Sequence, residues 1–131
     1  LVGLYTSQAE SINDIASHAL ENEMKFPVGK DINLSAVKAL GVERVPQVVL
    51  LDAERNILYS GRIDDQYRTG GPQPKMNRSD ITEALDEFLA GKEISVAQTP
   101  VDGCKITAWS DPSVDQGVTF HEHVEKVMQA R

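Results

Sequence analysis

Residues 44–52 read RVPQVVLLD, a proline set directly against a strongly strand-like run. Proline fixes its own φ and donates no backbone hydrogen bond, so at the mouth of a buried strand its geometry has to be useful. Gln47 to Leu51 reads as an apolar strand, Asp52-Ala53-Glu54-Arg55-Asn56 as a turn-forming cluster, and Ile57 to Ile63 as a second strand. The short connection and matched lengths make the two an antiparallel hairpin entered through Pro46.

Upstream, Leu1 to Tyr5 is a short apolar run closed by Thr6-Ser7-Gln8, the pattern of a buried parallel strand leading into a helix. Ile12, Ile15, Ala16, Ala19, Leu20 and Met24 then recur at helical spacing, with Asp14, His18 and Glu21 off the stripe. A link through Phe26-Pro27-Val28-Gly29 leads to the capping residues Asp31 and Asn33 and a short helix from Leu34 to Leu40, stopped by Gly41. The predicted order to this point is strand, helix, helix, strand, strand.

Downstream, Asp64 to Met76 reads as an exposed loop. Ile81, Ala84, Leu85, Phe88 and Leu89 mark a helix capped by Asn77 or Ser79 and stopped by Gly91. Residues 92–118 show no clean period and are expected to be an irregular extension with at most one short strand near Cys104 to Trp109. Thr119 and Glu122 have capping-box spacing ahead of a helix carrying Phe120, Val124, Val127 and Met128. The chain opens on Leu1 inside an apolar run and stops at Arg131 inside a helical pattern, so both ends are expected to be cuts through a longer polypeptide.

A chain of 131 residues, 40% hydrophobic and 25% charged, has room for one core and the composition of a globular domain. Its formal charge of -7 opposes nucleic acid as a partner, because neutralising phosphates needs clustered Lys and Arg. No apolar stretch reaches the roughly 18–20 residues of a membrane span. A single cysteine, Cys104, excludes an internal disulfide. There is no Gly-rich phosphate loop, Gly-x-Ser-x-Gly elbow or kinase signature.

GVERVPQVVLLDAERNILYSGRIDD (41–65) followed by ITEALDEFLAGK (81–92) resembles the later part of a thioredoxin-like domain of the redoxin, or thiol-disulfide oxidoreductase, branch. The resemblance covers residues 1–91 and implies an α/β fold, a mixed sheet flanked by helices and lacking the N-terminal βα unit. It implies a cis Val45-Pro46 bond, although a proline at a strand start taken alone is most simply trans, cis accounting for about 5–6% of X-Pro bonds. In the family the residue before that proline presents its carbonyl and amide to an extended substrate, so Val45 and Pro46 are the implied substrate-binding residues. The family's Cys-x-x-Cys, or single cysteine at a helix start, is absent, so no catalytic residue of this kind lies in the chain. The family also places a strand between those matching Leu1–Tyr5 and Val48–Leu51. Without it two strand edges stand open, which implies edge pairing with further chain, with another molecule or in a homodimer.

VTFHEHVEKVMQAR (118–131) is similar to the helix preceding a Cys-x-x-Cys-His haem-attachment site in bacterial proteins that join a redoxin domain to a c-type cytochrome. That similarity implies a downstream cytochrome domain and an exported, periplasmic parent, with no cofactor held in this chain. The expected partner is a protein or small-molecule thiol or disulfide. The expected function is part of a thiol-disulfide oxidoreductase. The alternatives are a redox-inactive thioredoxin-fold assembly module and a peroxiredoxin-like peroxidase, which fits less well because Thr and Arg usually surround its peroxide site.

Individual residues leave paired readings. Cys104, in Val101-Asp102-Gly103-Cys104-Lys105, is either an auxiliary thiol partnering an upstream cysteine or a partly buried, unreactive thiol in the extension. His121 and His123 are two apart and point to opposite sides of a helix, so they cannot grip one metal ion. His18 reads as a solvated side chain, and Tyr5 and Trp109 as packing groups. Arg62, Asp64, Asp65 and Tyr67 are either a binding rim or an Arg–Asp surface pair anchoring the loop.

Overall fold

The computed structural model describes residues 1–68, 70–72 and 75–107. The chain is a mixed α/β protein with three helices and small two-stranded sheets, one of them parallel. The helix and extension expected after residue 107, with Trp109, His121 and His123, lie outside the described residues.

β1 (Gly3–Tyr5) pairs in parallel with β2 (Val28–Lys30), in the register Gly3↔Val28 to Tyr5↔Lys30. The link expected at Phe26 to Gly29 is therefore in part a strand. Its three residues include a glycine and a lysine and are too few to show a period, so pairing with β1 rather than local pattern makes them extended. Between them runs α1 (Ile12–Glu21), opened by a capping box in which Asp14 N–H donates to Ser11 Oγ at 3.2 Å and Ser11 N–H to Asp14 at 2.8 Å. α1 packs on β2 and buries Ile15. The rest of the expected stripe is less covered: Ile12 is 66% and Leu20 79% exposed, because a three-residue strand is too narrow to bury a helix face.

α2 (Ser35–Leu40) is capped by Asp31, which sits one turn upstream and is buried. Its carboxylate accepts hydrogen bonds from Ser35 N–H and Val37 N–H, each at 2.9 Å. The Val37 bond, with further backbone donors at Ala36 and Ser35, holds that carboxyl below the usual aspartate range.

β3 (Arg44–Val45) precedes the expected hairpin, β4 (Val48–Leu51) against β5 (Ile57–Gly61), which is antiparallel with a bulge at Leu50/Leu51. Asp52 closes its turn, accepting from Asn56 N–H at 2.7 Å and from Asn56 Nδ2 at 2.8 Å. No backbone bond joins the β1–β2 pair to the β4–β5 pair among the described residues. The expected loop at 64–76 holds a further hairpin, β6 (Tyr67–Arg68) with β7 (Gly71–Pro72). Asp65 is buried there and accepts from Asn77 N–H at 2.8 Å and Arg78 N–H at 3.0 Å. α3 (Asp80–Leu89) begins after Ser79, packs on β4 and buries Ala84, while Leu89 is 73% exposed.

The segment after α3 is laced to the hairpin rather than trailing free. Ser60 N–H donates to Ala97 O at 3.0 Å, and Thr99 N–H to Ser60 O at 3.3 Å, so residues 97–99 cover the outer edge of β5. β8 (Cys104–Lys105) then pairs antiparallel with β3, Val45 opposite Cys104 and Arg44 opposite Lys105. Ile106 N–H extends this ladder to Glu43 O at 2.8 Å.

Two glycines permit that lacing by close approach. A Cβ on Gly61 would lie 2.1 Å from Thr99 Oγ1 and 2.8 Å from Thr99 O; one on Gly103 would lie 2.1 Å from Val45 O. Gly61→Ala and Gly103→Ala should each cost about 1–3 kcal/mol in urea denaturation by forcing backbone apart. Gly29→Ala, whose nearest neighbour is Leu4 Cδ2 at 3.9 Å, should be neutral or slightly stabilising. Equal effects at all three positions would contradict this packing.

Candidate functional site

Val45 closes β3, and its peptide bond to Pro46 is cis, as the resemblance implies. The ladder between β3 and β8 alternates bonded and non-bonded pairs. Glu43 and Ile106 are a bonded pair, so the next bonded pair is Val45 with Cys104. The Val45 main chain thus faces β8, and Gly103 lies against its carbonyl. Pro46 itself is exposed. Gln47 follows, its Nε2 donating to Ser60 Oγ at 2.9 Å and fixing the strand entrance to β5.

Pro46 lines a cavity of about 340 Å³ with Arg62, Ile63, Asp64, Val101 and Asp102. Its walls come from three places: the strand entrance, the stretch leaving β5 and the segment after α3. That volume is within the range of about 300–1,000 Å³ typical of ligand pockets. Val101 and Asp102 had no periodic signal to mark them, and they reach the cavity only because Thr99 is anchored two residues earlier.

The anchor is a buried polar cluster. Tyr59 is fully buried, and its hydroxyl donates to Arg62 O at 2.7 Å. That uses its one hydrogen, so at the 2.7 Å contact with Thr99 Oγ1 the threonine hydroxyl is the donor. Thr99 Oγ1 in turn accepts from Arg62 N–H at 3.1 Å. Burial pushes the Tyr59 phenol above its ordinary pKa, and the negative charge of Asp80 adds to this although the Thr99 bond opposes it.

The Arg62 side chain has Asp80 as its hydrogen-bond partner, with Asp65 adding a further electrostatic attraction. Its Nε donates to Asp80 Oδ2 at 2.7 Å, and Arg78 Nε lies 3.0 Å from the other oxygen of Asp80. Asp80 is only 2% exposed, so two guanidinium groups compensate one buried carboxylate at the start of α3. Asp64 instead accepts from Gln66 N–H at 2.9 Å, and Asp65 holds the loop before α3. The stretch is therefore a structural anchor whose Arg62 and Asp64 also line the cavity.

Cys104 is exposed rather than partly buried, because β8 is a two-residue strand exposed at both positions, and it stands opposite Val45 in the ladder. His18 is exposed, as a solvated side chain would be, and its Nδ1 is hydrogen-bonded to the Tyr5 hydroxyl, the rings meeting edge to face with centroids 5.8 Å apart. Among the described residues no group of three or more His, Cys, Asp or Glu could hold a metal ion, and no helix is long and apolar enough to cross a membrane.

Arg62→Met should lower stability by about 1–3 kcal/mol, because it leaves Asp80 buried with one cation instead of two. Glu83→Gln, which removes only the exposed partner of Arg78 at 2.8 Å, should change it by less than about 1 kcal/mol. Urea midpoints for the two variants check the contrast.

No family model matches the chain, and no curated protein matches it. Solved structures do. A hypothetical protein from Sinorhizobium meliloti 1021 is 29% identical with a TM-score of 0.72, over 84% of this chain and 62% of that one. An uncharacterized conserved protein from Geobacillus kaustophilus is 25% identical with a TM-score of 0.73, over 84% of this chain and 60% of that one. The chain thus has the fold of these two proteins and spans 62% and 60% of their lengths.

Proposed function

We propose that this chain is part of a redoxin-type thiol-disulfide oxidoreductase whose redox cysteines lie outside these 131 residues, with the Pro46 region receiving the substrate. The observation that carries the reading is the placement of exposed Pro46 at the entrance of the hairpin and on the wall of an open cavity. The separation of the β1–β2 pair from the β4–β5 pair supports it, since the thioredoxin-like sheet has one more strand between them. Main-chain pairing of a substrate with Val45 competes with β8, so the surface on offer is the Pro46 ring and the adjoining cavity.

In this reading a thiolate outside the chain attacks one sulfur of the substrate disulfide. The substrate S–S bond breaks, a mixed disulfide forms and a substrate thiolate leaves. A second enzyme thiolate then attacks the enzyme sulfur of that mixed disulfide and displaces the substrate's other thiolate, so the substrate is reduced by two electrons and the enzyme pair is oxidised to a disulfide. Cys104 contributes no more than an auxiliary thiol, exposed on β8. The separate similarity of residues 118–131 carries the proposals of an extracytoplasmic location and a following c-type cytochrome domain.

A second reading, a redox-inactive assembly module, is favoured by the exposed apolar residues Ile12, Leu20 and Leu89 on helix faces. Reduction of insulin disulfides by dithiothreitol, with the product of the whole gene as catalyst, separates the two. The oxidoreductase reading predicts acceleration that disappears when a cysteine upstream of Leu1 is replaced, and Cys104→Ser changes the rate by no more than about twofold. Absence of acceleration, or acceleration that survives removal of every cysteine except Cys104, contradicts it.

A further inference from the structure

The segment after α3 is held at two places of opposite character. At Thr99 the hold is internal: the threonine hydroxyl meets the fully buried Tyr59 phenol and accepts the Arg62 N–H, and Ser60 N–H donates to Ala97 O at 3.0 Å. At β8 the hold lies on the surface. Cys104 and Lys105 are both exposed, as are Thr107 and Arg44, whose Nη1 donates to Gly103 O at 2.7 Å. The Val45↔Cys104 and Arg44↔Lys105 pairs and the Ile106 N–H to Glu43 O bond at 2.8 Å join β8 to β3 while both β8 side chains stay in water. Backbone bonds of that kind open at far lower cost than a buried polar cluster, so the chain beyond Thr99 can part from β3 while the core stays folded.

We propose that residues 103–107 form a strap over the main chain of Val45, closed in this structure, which opens to let an extended segment of a protein substrate pair with β3 in its place. The strap takes up the edge that a docked strand would use, so the two exclude one another. Opening leaves the Val45 amide and carbonyl to water, and the incoming strand supplies the partners that β8 supplied. A disulfide without a peptide main chain does not use that edge and meets no such barrier. This rests on the reading that a protein disulfide is received beside Pro46, and it adds that reception there is gated by the chain's own β8.

The test uses the product of the whole gene. In amide hydrogen exchange, Ile106 N–H, bonded across the strap, is expected to be protected about a hundredfold less than Ser60 N–H, bonded at the buried hold. Gly103→Ala, whose new Cβ would lie 2.1 Å from Val45 O and push the strap off, should raise kcat/KM for reduction of insulin disulfides about fivefold or more while lowering stability. Arg44→Gln, which removes one exposed side-chain bond to the strap and keeps the fold, should raise it about threefold. Reduction of dithiobis(nitrobenzoate), which has no peptide edge, should change by less than about twofold in either variant. Equal protection of Ile106 and Ser60 would overturn the proposal, as would insulin rates that stay level or fall in Arg44→Gln, or gains of the same size for the small disulfide. Insulin turnover with no gain in Arg44→Gln defeats this inference and leaves the proposed function standing; weak protection of Ile106 without any turnover defeats the proposed function and leaves the opening strap standing.

Discussion

The hydroxyl of Tyr59 is the point through which the rest of the site is held. Its ring is the fully buried one in the described chain, and a buried hydroxyl without partners costs about as much as a hydrogen bond is worth, so its two contacts are obligatory. One is the Arg62 carbonyl, just past the end of β5, and the other is Thr99, forty residues on. Because Thr99 also accepts the Arg62 N–H, the phenol, the hydroxyl and the backbone form a closed set in which each member fixes the others. Arg62 carries the constraint outward to Asp80 and so to the start of α3.

This arrangement explains why the segment after α3 belongs to the fold although it has almost no secondary structure. Anchored at Thr99 and again at Ile106, residues between them have no freedom to swing away, and Val101 and Asp102 are carried to the cavity wall. Gly61 and Gly103 sit where the two backbones touch, and any side chain there would occupy space already taken by Thr99 or by the Val45 carbonyl. The cost is that the main chain of Val45, the expected docking edge, is used internally by Cys104. What lines the cavity beside it is Pro46 with the side chains of Arg62, Ile63, Asp64, Val101 and Asp102.

The hairpin was legible because its signals are local: an unbroken apolar run, a turn cluster in which Asp52 bonds to Asn56, and a second run of matching length. Helix ends were legible for the same reason at Gly41 and Gly91, which take positive φ. β2 was not, since three residues cannot display a period and its extended form comes from pairing with β1. Nor was the site. Arg62 was read against the adjacent aspartates, but its partner is Asp80, eighteen positions away, and Thr99 carries no mark of the buried phenol it meets. The apolar stripes of α1 and α3 were read correctly as periods and only in part as burial, because a stripe records what a helix face can cover and not how wide a surface lies opposite.

The direct test of the Tyr59 constraint is a double-mutant cycle by urea denaturation with Tyr59→Phe, Thr99→Val and both together. Coupling through one shared hydrogen-bonded cluster predicts that the two losses overlap, with an interaction term of about 1 kcal/mol or more. Losses that add to within about 0.3–0.5 kcal/mol would show the phenol and the threonine to be independent, and would remove the reason for the trailing segment to stand at the cavity.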